Sequence, residues 1–299
     1  MNLAGVYPVV PTPFDGSGAI DPEDIERLVG FLDARGVDGL VALGALGEGH
    51  KLTWEERGDV LRRFRASVPD RLGLVVGVRA PASDPAIALA RQAQELGADA
   101  LLVGPPTIQN DRAIAGYYRR VADAVSIPII VHDFPSETRI TLTAELLAEM
   151  LRTIERVSIV KLEDPPTGMK MERVWELAGR EVEIFGAYGG LFALEELERG
   201  AAGIMTGFAY PELLVELYRR HRAGDLDAAA RLFYDIVPLI RFEFQPGIGV
   251  HLRKEVLVRR GVFKTATVRH PGAVADATTV AQLFRMVDDL RSKGYELAP

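Results

Sequence analysis

The sequence predicts an α/β protein, a (β/α)8 TIM barrel with a C-terminal helical extension, and three observations carry that reading. Short β-branched runs alternate with amphipathic stretches of helical period, the pattern of a parallel sheet wrapped by helices. The alternation repeats eight times and stops near Asp225. The runs are mostly apolar on both faces, as strands buried from both sides require.

In chain order the first strand is read at 5–11 (GVYPVVP) and is followed by a helix at 21–35, where Asp21 is placed to cap and Pro22 takes the first helical position. Gly36 ends that helix before the second strand at 38–43. Thr53 and Glu56 have the form of a capping box for a helix at 53–66, and Ser67 to Asp70 make a turn into the third strand at 73–78. After a second turn at Ala80 to Ser83, a helix at 84–96 stops at Gly97 and leads to the fourth strand at 99–103. The remaining strands are read at 127–132, 157–161, 182–186 and 202–206. The remaining helices are read at 110–124, 143–152, 168–178, 190–199, ended by Gly200, and 210–222. From Asp225 onward only helical period is left, at 225–240, 248–260 and 276–293, broken by Gln245-Pro246-Gly247 and His270-Pro271-Gly272. Residues 1–224 are therefore read as the barrel and 225–299 as an extension packed on it, which covers a barrel face or forms an oligomer contact.

Composition narrows the function classes. A length of 299 residues suits one barrel domain with an extension. No run approaches the ~18 apolar residues of a membrane span. The opening segment, interrupted by Pro8, Pro11 and Pro13, does not read as a signal peptide, so a cytoplasmic protein is expected. The absence of cysteine excludes disulfides, thiolate metal sites and a cysteine nucleophile. A formal charge of −7 gives no reason to expect nucleic acid as a partner.

Barrel active sites gather at the C-terminal ends of the strands, so candidates are ranked by position. Of the lysines, Lys51, Lys170, Lys254, Lys264 and Lys293 fall in loops, turns or polar helical stretches and read as solvated. Lys161 differs, ending the strand Ser158-Ile159-Val160-Lys161 among apolar neighbours. Desolvation disfavours a charged amine and would supply the free amine a carbonyl condensation needs; the alternative is a strand-end lysine paired with Glu163 or Asp164. His132 and Asp133 end the fifth strand on the same rim, where His132 is either an acid–base group or a hydrogen-bonded rim histidine. His50 is a weaker candidate of that kind. The Gly44-Ala45-Leu46-Gly47 turn is either a backbone nest for a carboxylate or only a turn. Glu163 and Asp164 form a conceivable cation pair, but no metal or other cofactor is expected.

Several motifs in order and spacing then carry a resemblance: Pro11-Thr12-Pro13-Phe14-Asp15, Gly36-Val37-Asp38-Gly39-Leu40, Gly44-x-x-Gly47-Glu48, Leu52-Thr53-x-Glu55-Glu56-Arg57, Gly97-Ala98-Asp99-Ala100, Pro128-Ile129-Ile130, Pro135 and Ile159-Val160-Lys161. From about Gly5 to about residue 240 the chain resembles the dihydrodipicolinate synthase and N-acetylneuraminate lyase superfamily of class I aldolases. The resemblance implies that Lys161 forms a Schiff base with a 2-oxo acid whose carboxylate sits on backbone at Ala45 and Leu46. It implies that Gly186, Met205 and Thr206 line the same pocket, and that the protein is a homotetramer made from dimers.

The departures from the family pattern are informative. Ala45 and Leu46 replace two hydroxyl residues, and His132 replaces the tyrosine that moves protons at the Schiff base, with Asp133 placed to orient it. Ser136-Glu137-Thr138 stands where the lysine-pathway synthase carries an arginine for its aldehyde substrate; Arg139 follows two residues on. Pro105-Pro106-Thr107-Ile108 replaces an aromatic pair. The expectation is a class I lyase, cleaving or dehydrating a 2-oxo-3-deoxy sugar acid or another hydroxy-2-oxo acid, with Lys161 as nucleophile and His132 as proton-transfer group. Condensation of pyruvate with an aldehyde, as in 4-hydroxy-tetrahydrodipicolinate synthase, is one alternative. A non-catalytic barrel that binds or senses a 2-oxo acid is another.

Overall fold

The computed structural model describes residues 3–297, and in it the eight expected strands join in one parallel sheet ordered β1-β8-β7-β6-β5-β4-β3-β2. The strands are β1 (Gly5–Val6), β2 (Gly39–Ala42), β3 (Gly73–Val78), β4 (Ala100–Val103), β5 (Ile129–Asp133), β6 (Val157–Leu162), β7 (Glu183–Gly186) and β8 (Gly203–Ile204). The ring closes between β1 and β2, where Val9 bridges Val41 and the Val41 N–H donates to the Pro8 carbonyl at 2.9 Å. β1 is shorter than the 5–11 expected because Pro8 and Pro11 have no N–H to give a ladder. The chain nevertheless runs on along the barrel wall, with the Val9 N–H on the Thr206 carbonyl at 2.9 Å.

The helices are α1 (Pro22–Ala34), α2 (Trp54–Ser67), α3 (Ser83–Glu95), α4 (Asp111–Ala122), α5 (Pro135–Thr138), α6 (Ala144–Thr153), α7 (Thr167–Ala178), α8 (Ala193–Glu198), α9 (Pro211–Arg222), α10 (Leu226–Glu243), α11 (Gly249–Arg259) and α12 (Ala277–Ser292). Their start signals act as the sequence suggests: Asp21 accepts from the Glu23 and Asp24 amides, and Thr53 and Glu56 form a reciprocal capping box. Three departures concern the mouth of the barrel. The short α5 follows β5 directly. α8 starts late because Tyr188–Gly190 makes a tight 3-10 turn, with φ at +72° for Gly189 and +92° for Gly190, the left-handed region that glycine tolerates. α10 runs three residues past 240, carrying Glu243 into the interior.

Side-chain alternation divides the core in two. Val41, Val75, Leu102, Ile130, Ile159, Phe185 and Met205 point into the barrel lumen, while the residues between them, such as Val131 and Val160, pack under the helices. The extension shares that outer core, with Leu232, Phe233, Ile236, Leu239 and Ile240 of α10 buried in the same cluster. Residues 264–273 then cross the loops after β1 and β2: Lys264 meets Asp21 and Glu23, the Thr265 hydroxyl donates to Phe14 O, and Arg269 grips Glu56. Among the described residues no helix is long and apolar enough to cross a membrane.

One lumen contact gives a stability test. A Cβ on Gly39 would lie 2.3 Å from the Tyr7 ring and 2.4 Å from the Gly73 carbonyl, so the glycine is what lets Tyr7 fill the lumen. Gly39→Ala is expected to cost about 1–3 kcal/mol by overpacking. Equal denaturant midpoints for the two proteins would refute it.

Candidate active site

The period-two alternation that buries Ile159 and Ile130 in the lumen carries Lys161 and His132 onto the same face, one step higher. β5 and β6 are paired with His132 opposite Lys161, so the two side chains stand side by side at the barrel mouth, Nζ to Nε2 at 3.2 Å. The next residue on that face is Glu163, just beyond β6, whose amide donates to the Asp133 carbonyl at 2.8 Å. Glu163 Oε1 touches Lys161 Nζ and lies 2.9 Å from His132 Nε2, while Oε2 accepts the Tyr188 N–H at 3.0 Å. The 3-10 turn thus fixes one carboxylate oxygen and leaves the other on the amine and the imidazole.

All three groups are nearly or largely shielded from bulk water, with side chains 5% exposed for Lys161, 4% for Glu163 and 12% for His132. Burial opposes the charge on Glu163, but the Lys161 ammonium and the His132 contact outweigh it and hold its carboxyl well below the usual range. Burial and the Lys161 ammonium push His132 below its ordinary value, which leaves a neutral imidazole near pH 7. Nε2 can accept a proton from Lys161 or donate one to Glu163, so the three form a short proton path. The ion-paired reading of Lys161 is therefore present, and the same amine lines a cavity of about 800 Å³.

The second-strand loop forms another wall through Ala45 and Leu46. Among the described residues, the amides of Ala45, Leu46 and Gly47 have no intramolecular acceptor, whereas Glu48 N–H turns back to the Ala45 carbonyl at 3.1 Å. Three free N–H groups in one turn are the donors an anion nest needs. Glu48 holds the turn at a left-handed φ of +53°. Its buried carboxylate takes Lys254 Nζ at 2.7 Å, Lys51 Nζ at 2.9 Å and the Arg269 N–H at 3.0 Å. This corrects the solvated reading of three lysines. Lys254 is fully buried, Lys51 is largely covered, and Lys170 pairs with Asp133 at 2.6 Å and Asp164 at 2.8 Å.

Thr206 lines the cavity with Ala45, Leu46, His132 and Lys161. Asp133, Gly186 and Met205 do not. Asp133 follows His132 by one residue, so it faces the helix layer and meets Lys170; it cannot orient His132, and the carboxylate on the imidazole is Glu163. Gly186 follows lumen-facing Phe185 and turns outward, where a Cβ would meet Glu196 Oε2 at 2.1 Å. Met205 fills the lumen below. Sequence reading named Glu163 only as a partner of Lys161 or half of a cation pair, and missed Tyr188, Phe134, Phe244 and Arg253; all five line the cavity. The last two come from the C-terminal extension, which therefore contributes a wall of the site. Among the described residues no cluster of three histidines or carboxylates is arranged to hold a metal ion.

A second buried acid sits behind this site. Glu196 of α8 packs against Gly186, with the Thr167 hydroxyl and Ala187 N–H near but neither making a well-formed bond to it. Burial pushes its carboxyl up to about 8 from 4.5. A raised folded-state value means stability that is complete below 4.5 and is lost as pH rises through 8. Glu196→Gln is expected to flatten that decline, read as melting temperature against pH; an unchanged slope would contradict it.

Comparison with known proteins finds relatives over nearly the whole chain. The sequence profile of the Dihydrodipicolinate synthetase family matches residues 2–289. An L-2-keto-3-deoxyarabonate dehydratase of Azospirillum brasilense is 32% identical, over 94% of this chain and 92% of its own. A 4-hydroxy-tetrahydrodipicolinate synthase of Bartonella bacilliformis is 30% identical, over 81% and 83%. The crystal structure of a dihydrodipicolinate synthase from Rhodopseudomonas palustris superimposes with a TM-score of 0.91 at 33% identity, covering 96% of this chain and 97% of that one. With nearly its whole length matched by that profile, the chain belongs to the dihydrodipicolinate synthetase family.

Proposed function

We propose that the protein is a Schiff-base lyase that dehydrates a 2-oxo-3-deoxy sugar acid or a related hydroxy-2-oxo acid. The observation that carries this is the trio of Lys161, His132 and Glu163 on the wall of a cavity that also contains the free amides at Ala45 and Leu46. The substrate carboxylate sits on those amides, and Glu163 gives way as the ketone approaches Nζ. His132 takes the ammonium proton, and the free amine adds to C2 and expels water to give an iminium ion. Glu163 accepts a proton from C3, which forms the enamine. The enamine expels the C4 hydroxyl, to which Glu163 returns the proton, so one water leaves. Hydrolysis of the remaining imine frees Lys161.

The timing of that proton follows from charge. Burial alone favours a protonated Glu163, and the positive nitrogen beside it opposes this. When the enamine forms, the nitrogen loses its charge and the carboxyl rises toward the value burial sets, which holds the C3 proton until the hydroxyl departs.

Dehydration is favoured over condensation with an acidic aldehyde by Glu137, which lines the cavity and is bound to Arg79 at 2.7 Å, while Arg139 is exposed outside it. Paired with Arg79, Glu137 leaves that wall, among the described residues, without a free cation for the acid group such an aldehyde carries. Incubation with 2-oxo-3-deoxy acids, followed for loss of water and for release of pyruvate, tests the reading. Cyclic product from pyruvate and aspartate semialdehyde, with no turnover of any hydroxy-2-oxo acid, would replace it. Binding without borohydride trapping at Lys161 would favour a sensor instead. A homotetramer in the cytoplasm belongs to the same reading on the strength of family membership, and sedimentation as a monomer would remove the tetramer.

A further inference from the structure

Arg253 of α11 stands in a helical turn that reads as solvent-exposed in the sequence, yet it is 7% exposed and lines the cavity that contains Lys161. Its guanidinium is only partly satisfied. Nη1 donates to the Gly249 carbonyl at 3.0 Å, and the nearest carboxylate oxygen, Glu243 Oε2, is 3.7 Å from Nε. Nε has no hydrogen-bond partner, and among the described residues Nη2 has none either. Space for the group is built in, because a Cβ on Gly249 would lie 2.8 Å from Nη1. Glu243 is in turn fixed by the Ala209 N–H at 3.0 Å, and because burial pushes its carboxyl up to about 7 it is only a partial counter-charge to the arginine.

A guanidinium is a permanent donor with no acceptor, and a buried one without partners leaves hydrogen bonds unmade. Inside a substrate cavity its unmet donors mark where a ligand oxygen belongs. The cavity of about 800 Å³ exceeds what a three-carbon acid fills, so a longer substrate reaches past the reacting carbons. Glu243 offsets the charge on Arg253 only in part, and the carboxylates that line the cavity are already paired, Glu48 with Lys51 and Lys254, Glu137 with Arg79 and Glu163 with Lys161. A second carboxylate on the ligand would bring a further charge that has to be desolvated in the cavity, whereas a hydroxyl accepts from Nη2 at much smaller cost.

We propose that Arg253 binds the end of the substrate remote from the carboxylate, and that this end carries a hydroxyl group rather than a second acid. The assignment rests on the Schiff-base function above and narrows its substrate class to hydroxylated monoacids of more than three carbons. Arg253 is then the selectivity determinant contributed by the C-terminal extension.

The test compares three five-carbon acids, 4,5-dihydroxy-2-oxopentanoate, 2-oxopentanoate and 2-oxoglutarate, with pyruvate as reference. For each, the concentration that half-saturates borohydride trapping at Lys161 is measured. The native protein is expected to favour the dihydroxy acid over 2-oxopentanoate by about 10- to 100-fold, the range of a hydrogen bond to a charged donor. Arg253→Lys and Arg253→Met are expected to erase most of that ratio. Because Arg253→Met strands Glu243 in the core, the double variant with Glu243→Gln is measured beside it. Survival of the preference in any folded variant overturns the proposal, as does tighter binding of 2-oxoglutarate than of the dihydroxy acid. Trapping of pyruvate but no preference among the five-carbon acids sinks this inference alone. Failure to trap any of the four sinks the Schiff-base function together with it.

Discussion

Lys161→Ala is expected to lower turnover of any accepted 2-oxo acid by at least about 10⁴-fold and to abolish borohydride trapping, while the ligand still binds. The amine is the only lysine nitrogen among the described residues that lines the cavity beside His132 and Glu163, so no neighbour can take over the carbonyl. Lys51 also lines the cavity, but its amine is spent on Glu48 and the Arg269 carbonyl, both at 2.9 Å. The free amides at Ala45 and Leu46, proposed above to hold the substrate carboxylate, are backbone and survive the substitution, which is why binding is expected to be retained. The change also strips Glu163 of its buried partner, and breaking such a pair costs about 3–5 kcal/mol. The control is therefore Lys161→Met with Glu163→Gln, which removes both charges together. Turnover within tenfold of the native rate in either folded protein would eliminate the covalent mechanism.

Much of this arrangement is legible in the sequence because it obeys local rules. Two-sided apolar runs give the strands, caps and terminal glycines give the helix ends, and the rank of positions at strand ends singles out Lys161 and His132. Alternation also decides which acid serves the site. A residue one step from His132 faces the opposite side, so Asp133 belonged under the helices, while Glu163, two steps from Lys161, belonged in the site. What no local rule supplies is the pairing of distant charges. Arg253 and Lys254 look like an exposed polar turn until the fold brings Glu243 and Glu48 against them. The Glu48 to Lys254 contact spans 206 residues, and polarity alone reads both ends as surface. The extension's part in the site was illegible for the same reason, since periodicity gives helices but not the face on which they dock.

Glu163→Gln separates the proton role of the carboxylate from its structural one. The amide keeps the shape and can still accept the Tyr188 N–H, which is 3.0 Å from Oε2 in the native protein, so the wall is preserved. It cannot take the C3 proton, and loss of a positioned acid–base group lowers turnover by about 10²- to 10⁴-fold. KM is expected to move far less than kcat, because the carboxylate nest is untouched. The pH profile adds a readout that a packing defect would not give. Glu163 raises His132 through its hydrogen bond and its charge, against the lowering by burial and by Lys161. Removing the anion leaves only the lowering influences, so His132 stays neutral to lower pH and the acid limb of the activity profile shifts downward. Activity in the native protein is lost as pH falls through the His132 value, which lies below 6.5. A variant with near-native kcat, or one whose acid limb stays in place, would show that the proton is handled elsewhere and that Glu163 only steadies the lysine.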